Sequence, residues 1–369
     1  MIQQHVPLVD LSYQQAQIKD LIHEGFNRVI AESSFIMGPQ VGEFEEAWAN
    51  YCGVPFAMAV GNGTDAIEIA LRAAGVGPGD EVILPANTFV ATAGAVQRTG
   101  ANPVLADCDE DFLLDPEKVS RNVSPRTKAV IGVHLYGQAA PMEIIRRAVP
   151  EGITLVEDMA QAQGAKRRGI RAGALGHIAA TSFYPGKNLG AYGDAGAVMS
   201  SSEEIADRVR KLRNHGGNVR YEHLDVGFNS RLDTLQAVVL NAKLGLLDQW
   251  NGQRVEAAQR YQELLGDLHA VELPRVLPGN DHVFHLYVVR VRERDRVIQE
   301  LNAAGIGAGI HYPKPVHLLP AYAHLGHQRG AFPVAERLSI EIMSLPLYPG
   351  ITAPQQEQVA VALRQALRR

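Results

Sequence analysis

Six short apolar runs recur along the first half of the chain: Phe56–Val60, Glu81–Leu84, Pro103–Ala106, Ala129–Val133, Ile153–Val156 and Gly196–Met199. Each is too short for a helix and lacks the polar alternation of a half-exposed strand. Runs of that kind, bounded by polar turns, belong to strands buried on both faces, as in a parallel sheet. Gly196–Met199 is expected to close that sheet. Stretches of helical periodicity lie between and around the runs. They cover Gln14–Ala31, Val41–Tyr51, Ala66–Ala74 and Phe89–Thr99, then Leu232–Trp250 and a further helix to about Leu265. Turn chemistry such as Gly77-Pro-Gly-Asp80 punctuates them. The order predicts an α/β fold: a three-layer αβα large domain over residues 1–250 and a smaller α+β C-terminal domain over 251–369. In the second part, Phe284–Val291 alternates as a strand should, and Asp295–Ala304 and Pro354–Leu367 read as amphipathic helices. The Pro- and Gly-rich stretch Leu273–Asn280 is the expected linker.

The chain has 369 residues, is 46% hydrophobic and carries a formal charge of −5. No basic block stands out, which argues against nucleic acid and anionic membrane as partners. The N-terminus lacks a cationic stretch followed by an apolar core, and no apolar run is long enough to span a bilayer. Two cysteines, Cys52 and Cys108, are too few for a disulfide framework, and a cytoplasmic setting is the expectation.

The chemistry concentrates in two places. Lys187 sits in a glycine-rich loop, Ser182-Phe-Tyr-Pro-Gly-Lys187-Asn-Leu-Gly, and Ile153–Val156 runs into Glu157-Asp158. A lysine amine can condense with an aldehyde, and a strand-end carboxylate can keep a pyridine nitrogen protonated. Together they suggest pyridoxal phosphate (PLP). Asp158 would lie at the carboxyl edge of the sheet, where ligands of open α/β sheets bind. The alternative is a structural cap on nearby amides. Gly61-Asn-Gly-Thr64-Asp65 follows a strand and opens a helix, so its amides and dipole favour an anion such as a phosphate. The alternative there is a plain glycine turn with Thr64 as N-cap. Ser182 could add a hydroxyl. Phe89 could cover a ring or simply pack in the core. His282, His285, His311, His317, His324 and His327 form no metal-binding motif, so no metal is expected.

The chain resembles the DegT/DnrJ/EryC1/StrS sugar-nucleotide aminotransferases, which are fold-type I PLP enzymes. The matching stretches include Gly61–Ala66, Asn87-Thr-Phe-Val-Ala-Thr92, Val156-Glu-Asp-Met-Ala-Gln161, Ser182–Gly196, Gly227-Phe-Asn-Ser-Arg-Leu-Asp233 and His311-Tyr-Pro-Lys-Pro315. The resemblance implies Lys187 as the cofactor-linked lysine and Asp158 as the partner of the ring nitrogen. It places Gln161 at the ring hydroxyl and Phe89 over the ring. Thr64, Ser182 and the amides of Gly63 and Asp65 would hold the phosphate, with Asn229 reaching it from the second subunit of a homodimer. Tyr184, Arg231, His311 and Tyr312 would face the substrate.

The loop Phe183-Tyr-Pro-Gly-Lys-Asn-Leu-Gly190 and the end Asp194-Ala-Gly196 look like the branch that aminates dTDP-linked 3-keto-6-deoxyhexoses, with glutamate as amino donor. Within the same family, a 4-keto or UDP-sugar substrate is the alternative. Two positions depart from the family pattern, Gln163 where a histidine is common and Met159 where a small residue is common. Dehydration on the same scaffold is opposed by Lys187, since that branch carries histidine there. The reading from another class is a PLP-scaffold regulator without turnover.

Overall fold

The computed structural model describes residues 5–219 and 221–368. Two helices lead, α1 (Ser12–Glu32) and α2 (Pro39–Cys52), followed by β1 (Phe56–Val60) and α3 (Gly63–Ala73). The chain then runs through β2 (Glu81–Pro85), α4 (Val90–Arg98), β3 (Asn102–Ala106), α5 (Pro116–Asn122), β4 (Thr127–Val133), α6 (Met142–Ala148) and β5 (Thr154–Asp158). A short ribbon, β6 (Lys166–Arg167) and β7 (Ile170–Arg171), precedes β8 (Ile178–Ser182) and β9 (Gly196–Ser200). These strands, the ribbon apart, form one sheet in the order β1-β9-β8-β5-β4-β2-β3. All neighbours pair in parallel except at β9, which runs antiparallel to both β1 and β8. The run Gly196–Met199 therefore lies inside the sheet, and β1 forms the edge beside it.

Alternate residues of each strand enter cores on opposite faces. Val82 and Leu84 of β2 join one core with Met58, Val60, Ile69, Leu71 and Val198, on the side covered by α3, α4 and α7 (Glu203–Arg213). Ile83 enters the opposite side with Val130 and Leu155. Ala57, Ala59, Ala197 and Met199 face Phe44 and Trp48 of α2. Two buried faces on one sheet are what three layers require. Helix ends follow local chemistry. Pro39 opens α2, and Gly53, with φ 75°, closes it.

The helical stretch from Leu232 divides at Gly245-Leu246 into α8 (Thr234–Leu244) and α9 (Leu247–Leu265). The expected division at 250/251 falls inside α9. Trp250 packs beside α1 and α8 with Ile18, Ile22 and Val239, whereas Ala257, Ala258 and Tyr261 join the C-terminal core. That core surrounds a three-stranded antiparallel sheet of β10 (Val271–Glu272), β12 (Tyr287–Val291) and β13 (Ile342–Leu345). Helices α10 (Arg294–Ala303) and α12 (Ala353–Leu367) cover it, and α11 (Pro333–Glu341) leads into β13. The stretch Leu273–Asn280 is docked on the large sheet's loops. Gln138 bonds Arg275 O and Leu277 N, and β11 (Asn280–Asp281) pairs with β6. The segment before α1 also crosses over: Val6 is fully buried in the C-terminal core and bridges to Ile306.

Phe183 shows how the α2 layer steadies the loop that follows β8. It is fully buried, with its ring edge-on to Phe44 at 5.3 Å and to Trp48 at 5.4 Å. We expect Phe183→Ala to lower unfolding free energy by about 3–5 kcal/mol, as other large-to-small core changes do. Denaturant unfolding of the apoprotein checks this, and a loss under about 1 kcal/mol would show that the cluster is not a tight core.

Candidate active site

Five strands deliver their carboxyl ends, or the loops that follow them, to one cavity of about 430 Å³, with β4 contributing Val133 and Leu135. From β1 comes the turn Asn62-Gly63-Thr64, from β2 the segment Thr88–Thr92, from β5 Asp158 and Gln161, and from β8 Ser182, Tyr184 and Lys187. Tyr312 and Asp194 complete the wall. The sheet's register explains the convergence: Asp158 pairs with Ala180 of β8 and Val133 of β4, so three parallel strands end nearly level.

The start of α3 is capped by Asn62, not Thr64. Asn62 Oδ1 accepts the Asp65 amide at 2.8 Å. That bond occupies the Asp65 amide, and the Asp65 carboxylate pairs with Arg98 at 3.0 Å and accepts from Ser230 at 2.8 Å. Gly63 and Thr64 lie ahead of the first helical bond, Ala66 N to Asn62 O, and both line the cavity. A helix start of that kind suits an anion. Gly63 must be glycine because an added Cβ would collide with the Ser182 Cβ and meet its Cα at 3.0 Å. The turn after β1 and the loop after β8 are thereby held against each other.

Asp158 is buried at the end of β5. Its Oδ2 accepts from Thr92 Oγ1 at 2.8 Å, and its Oδ1 accepts the Ala160 amide at 3.2 Å. Thr88 Oγ1 lies 2.8 Å from Thr92 Oγ1. On the other face of β5, the fully buried Glu157 accepts the amides of Gly173, Leu175 and Gly176 at 2.7–2.8 Å, and His134 Nε2 at 2.8 Å.

Lys187 keeps part of its surface open to the cavity. Burial pushes its amine down to about 8, opposed by the negative charge of Asp158. Burial likewise holds the His285 and His311 imidazoles below their ordinary range, with Lys187's charge adding to the effect. The neighbouring Asn188 is buried and donates to Asn251 Oδ1 at 2.7 Å and Val283 O at 3.2 Å. Its Oδ1 faces His285 Nδ1 at 3.0 Å. The lysine loop is thus tied to α9 and to the lead-in of β12.

Gln161 is fixed from both ends. Its Oε1 accepts the Tyr136 amide at 2.6 Å, and its Nε2 donates to Tyr312 Oη at 3.1 Å. The rings of Tyr312 and Phe89 lie 5.0 Å apart, and Phe89 leaves 48% of its surface exposed, so it is no core residue. Burial, then the Asp158 charge, raises the Tyr312 phenol.

Four expected residues stand outside this wall. Asp65 is turned to Arg98 and Ser230, as described. Asn229 is exposed and bridges to Asn214. Arg231 donates to Asn214 Oδ1 at 3.2 Å, and its buried Nε has no partner among the described residues. His311 accepts the Tyr136 hydroxyl at its carbonyl, and its Nδ1 lies 2.9 Å from Ser344 Oγ. Conversely, Thr88 and Thr92 line the cavity without having been singled out, and Asp194, noted only as a branch marker, lines it too. Two threonines four apart, where a strand gives way to a helix, were the available signal.

The departures are absorbed locally. Gln163 Nε2 donates to Ser182 O at 2.7 Å and lies 3.2 Å from Thr181 Oγ1, and Met159 is fully buried beside Cys52 and Trp48. Among the described residues, no cluster of His, Cys, Asp or Glu is arranged to hold a metal ion. No helix among them is long and apolar enough to cross a membrane.

The donor set fits PLP: a helix start and a serine for a phosphate, an amine of lowered basicity for an aldehyde, a carboxylate for a cationic nitrogen, and an exposed aromatic ring. Lys187 also carries a measurable pH dependence. Its folded pKa of about 8 lies below the ordinary lysine value of 10.5, so the unfolded apoprotein binds more protons and stability rises with pH across that window. In the apo form, Lys187→Met should therefore stabilise by about 2 kcal/mol below pH 8, after discounting for the open cavity. That advantage should fade as pH approaches 10.5. Denaturant unfolding at several pH values reads it, and a constant difference would refute the shift.

Residues 16–364 match the DegT/DnrJ/EryC1/StrS aminotransferase family. The erythromycin biosynthesis sensory transduction protein EryC1 of Saccharopolyspora erythraea is 45% identical, over 97% of this chain and 99% of its own. The dTDP-3-amino-3,4,6-trideoxy-alpha-D-glucose transaminase of Streptomyces venezuelae is 44% identical, over 98% of this chain and 96% of its own. The crystal structure of S. venezuelae DesV superposes with a TM-score of 0.96 at 43% identity, covering 99% of each chain. The chain belongs to the DegT/DnrJ/EryC1/StrS family and is a PLP-dependent aminotransferase.

Proposed function

We propose that the enzyme moves an amino group from glutamate to a dTDP-linked 3-keto-6-deoxyhexose, working in the cytoplasm as a homodimer with shared sites. One observation carries the chemistry: Lys187, its amine lowered to about 8, shares a cavity with Asp158. An amine so placed keeps a neutral fraction near pH 7 and can serve as a general base.

When bound, PLP supplies the electron sink that lets a proton leave the carbon bearing the amine. The chain's residues do the rest. Thr64, Ser182 and the start of α3 hold the phosphate. Phe89 covers the ring, Gln161 meets its hydroxyl, and Asp158 keeps its nitrogen protonated. Lys187 Nζ takes the proton from the α-carbon of glutamate. In the second half-reaction, it returns one to the sugar carbon that gains the nitrogen. Tyr184 stands exposed at the cavity mouth, on the side proposed for the sugar. Tyr312 lines the same cavity, and His311 is its neighbour.

Similarity to the dTDP-3-amino-3,4,6-trideoxy-alpha-D-glucose transaminase of S. venezuelae supports amination at C3. We expect a 3-keto-6-deoxyhexose on dTDP to exceed its 4-keto isomer at least about tenfold in kcat/KM, or roughly 1.4 kcal/mol of transition-state discrimination. Competing-substrate kinetics with NMR of the product tests it. An amine found at C4, at equal or better turnover, would refute the regiochemistry. A regulator without turnover is not favoured, because nothing in regulation needs an amine of lowered basicity beside a carboxylate.

The dimer reading rests on Asn229 and its surroundings. Asn229 is exposed, and the preceding loop shows Leu224 at 75% and Val226 at 91% exposure. Two such open apolar side chains in one loop are consistent with an interface there. In the proposal, Asn229 reaches the partner's phosphate site, with Arg231 on the substrate side. Mixing inactive Lys187→Ala with inactive Asn229→Asp should then restore up to roughly a quarter of the wild-type sites after subunit exchange. If Asn229 serves its own subunit, every mixed site keeps a lesion and nothing returns.

A further inference from the structure

Thr88 and Thr92 are both buried and both line the cavity, yet no role in the reaction has been given to either. Proton counting fixes the direction of their bonds. An ionised carboxylate only accepts, so the single hydroxyl proton of Thr92 goes to Asp158 Oδ2. Thr92 Oγ1 is then left as an acceptor, and the 2.8 Å contact with Thr88 makes Thr88 the donor. The result is a one-way chain from Thr88 through Thr92 to Asp158. Oδ1 accepts the Ala160 amide at 3.2 Å and keeps acceptor capacity toward the cavity. The charged groups facing Asp158 are Lys187 across the cavity, with Tyr312 as the nearby phenol.

We infer that the Thr88–Thr92 pair holds Asp158 as an anion and aims its free acceptor capacity at the cavity, making both threonines positioning residues of the reaction. This rests on the reading of Asp158 as partner of the cofactor's ring nitrogen. The physical reason concerns where one proton resides. A buried pair of carboxylate and pyridinium competes with the neutral pair in which the proton has moved to oxygen. Hydrogen bonds donated to the carboxylate favour its charged form and leave the proton on nitrogen. Without the Thr92 hydroxyl, Asp158 becomes the stronger base, the nitrogen loses positive character, and the electron sink weakens. Thr88 acts one step further out. It orients and polarises the Thr92 hydroxyl, so its removal should act in the same direction with smaller effect.

The test is the pH midpoint of the bound cofactor's visible absorbance, together with steady-state kinetics, in the holoenzyme. A ring nitrogen that keeps its proton withdraws electrons and holds that midpoint low. Thr92→Val, close in shape but without the hydroxyl, should raise the midpoint by at least about half a pH unit and lower kcat at least about tenfold. KM for glutamate should stay within about threefold. Thr92→Ser should return the midpoint to within about 0.2 pH unit and kcat to within about threefold of wild type, because it restores the donor. Thr88→Val should shift the midpoint the same way by less. Asp158→Asn separates the premise from the inference. If Asp158→Asn leaves the midpoint unchanged, the premise has failed and the inference falls with it. If Asp158→Asn moves it and Thr92→Val does not, the premise stands and the threonine chain is overturned. Should Thr92→Val fail to fold, Thr88→Val, which leaves Thr92 in place, decides: a wild-type midpoint overturns the inference.

Discussion

Strand β5 ends in two carboxylates that must face opposite sides of the sheet, because successive side chains of a strand alternate. The cavity depends on that constraint. Glu157 turns away from the cavity and is answered by three amides and an imidazole, enough to compensate a fully buried charge. His134 Nδ1 accepts the Ala140 amide at 3.0 Å, so Nε2 is the donor to Glu157. The end of β5 is pinned from behind, and Asp158 can only point forward. Reversing the pair, or shifting the register by one residue, would place the unanswered acid in the core.

The other half of the cavity depends on contact between backbones. Gly63 touches Ser182, and Gly196 brings its Cα so near Asn62 that an added Cβ would lie 2.5 Å from the Asn62 carbonyl oxygen. The antiparallel β9 lies between β1 and β8, pairing Gly196 with both Val60 and Ser182. Glycine at this single crossing lets a helix start, a serine and a lysine loop meet at a common point. The anion-favouring end and the amine-bearing loop are two consequences of one close packing.

Every large-sheet strand except β8 was legible, because burial on both faces leaves an uninterrupted apolar signature. Strand β8, Ile178–Ser182, was not read as a strand, because two alanines, a threonine and a serine give it no β-branched run. The break between α8 and α9 was hidden because Leu244, Leu246 and Leu247 keep the apolar pattern going through Gly245. Of the cavity, the chemically marked side chains were readable: a lone lysine among glycines, an acid after an apolar run, glycines before a helix. Asn62 was eclipsed as a cap by its neighbour Thr64, since both types cap well and only geometry separates them. Thr88 and Thr92 offered only their spacing of four as a signal, and a hydroxyl's role is decided by what lies 2.8 Å away.

Asn188 has a consequence for the order in which the molecule is completed. Its amide donates to residues 63 and 95 positions further along the chain. A chain emerging during synthesis can have every strand of the large sheet in place while the residue beside Lys187 still waits for those acceptors. Until those segments arrive, the Asn188 amide lacks the two bonds that tie the loop to α9 and to the lead-in of β12. The residue that gives the enzyme its reactivity is thus made early and immobilised late. The interval is set by how far downstream its neighbour's partners are encoded.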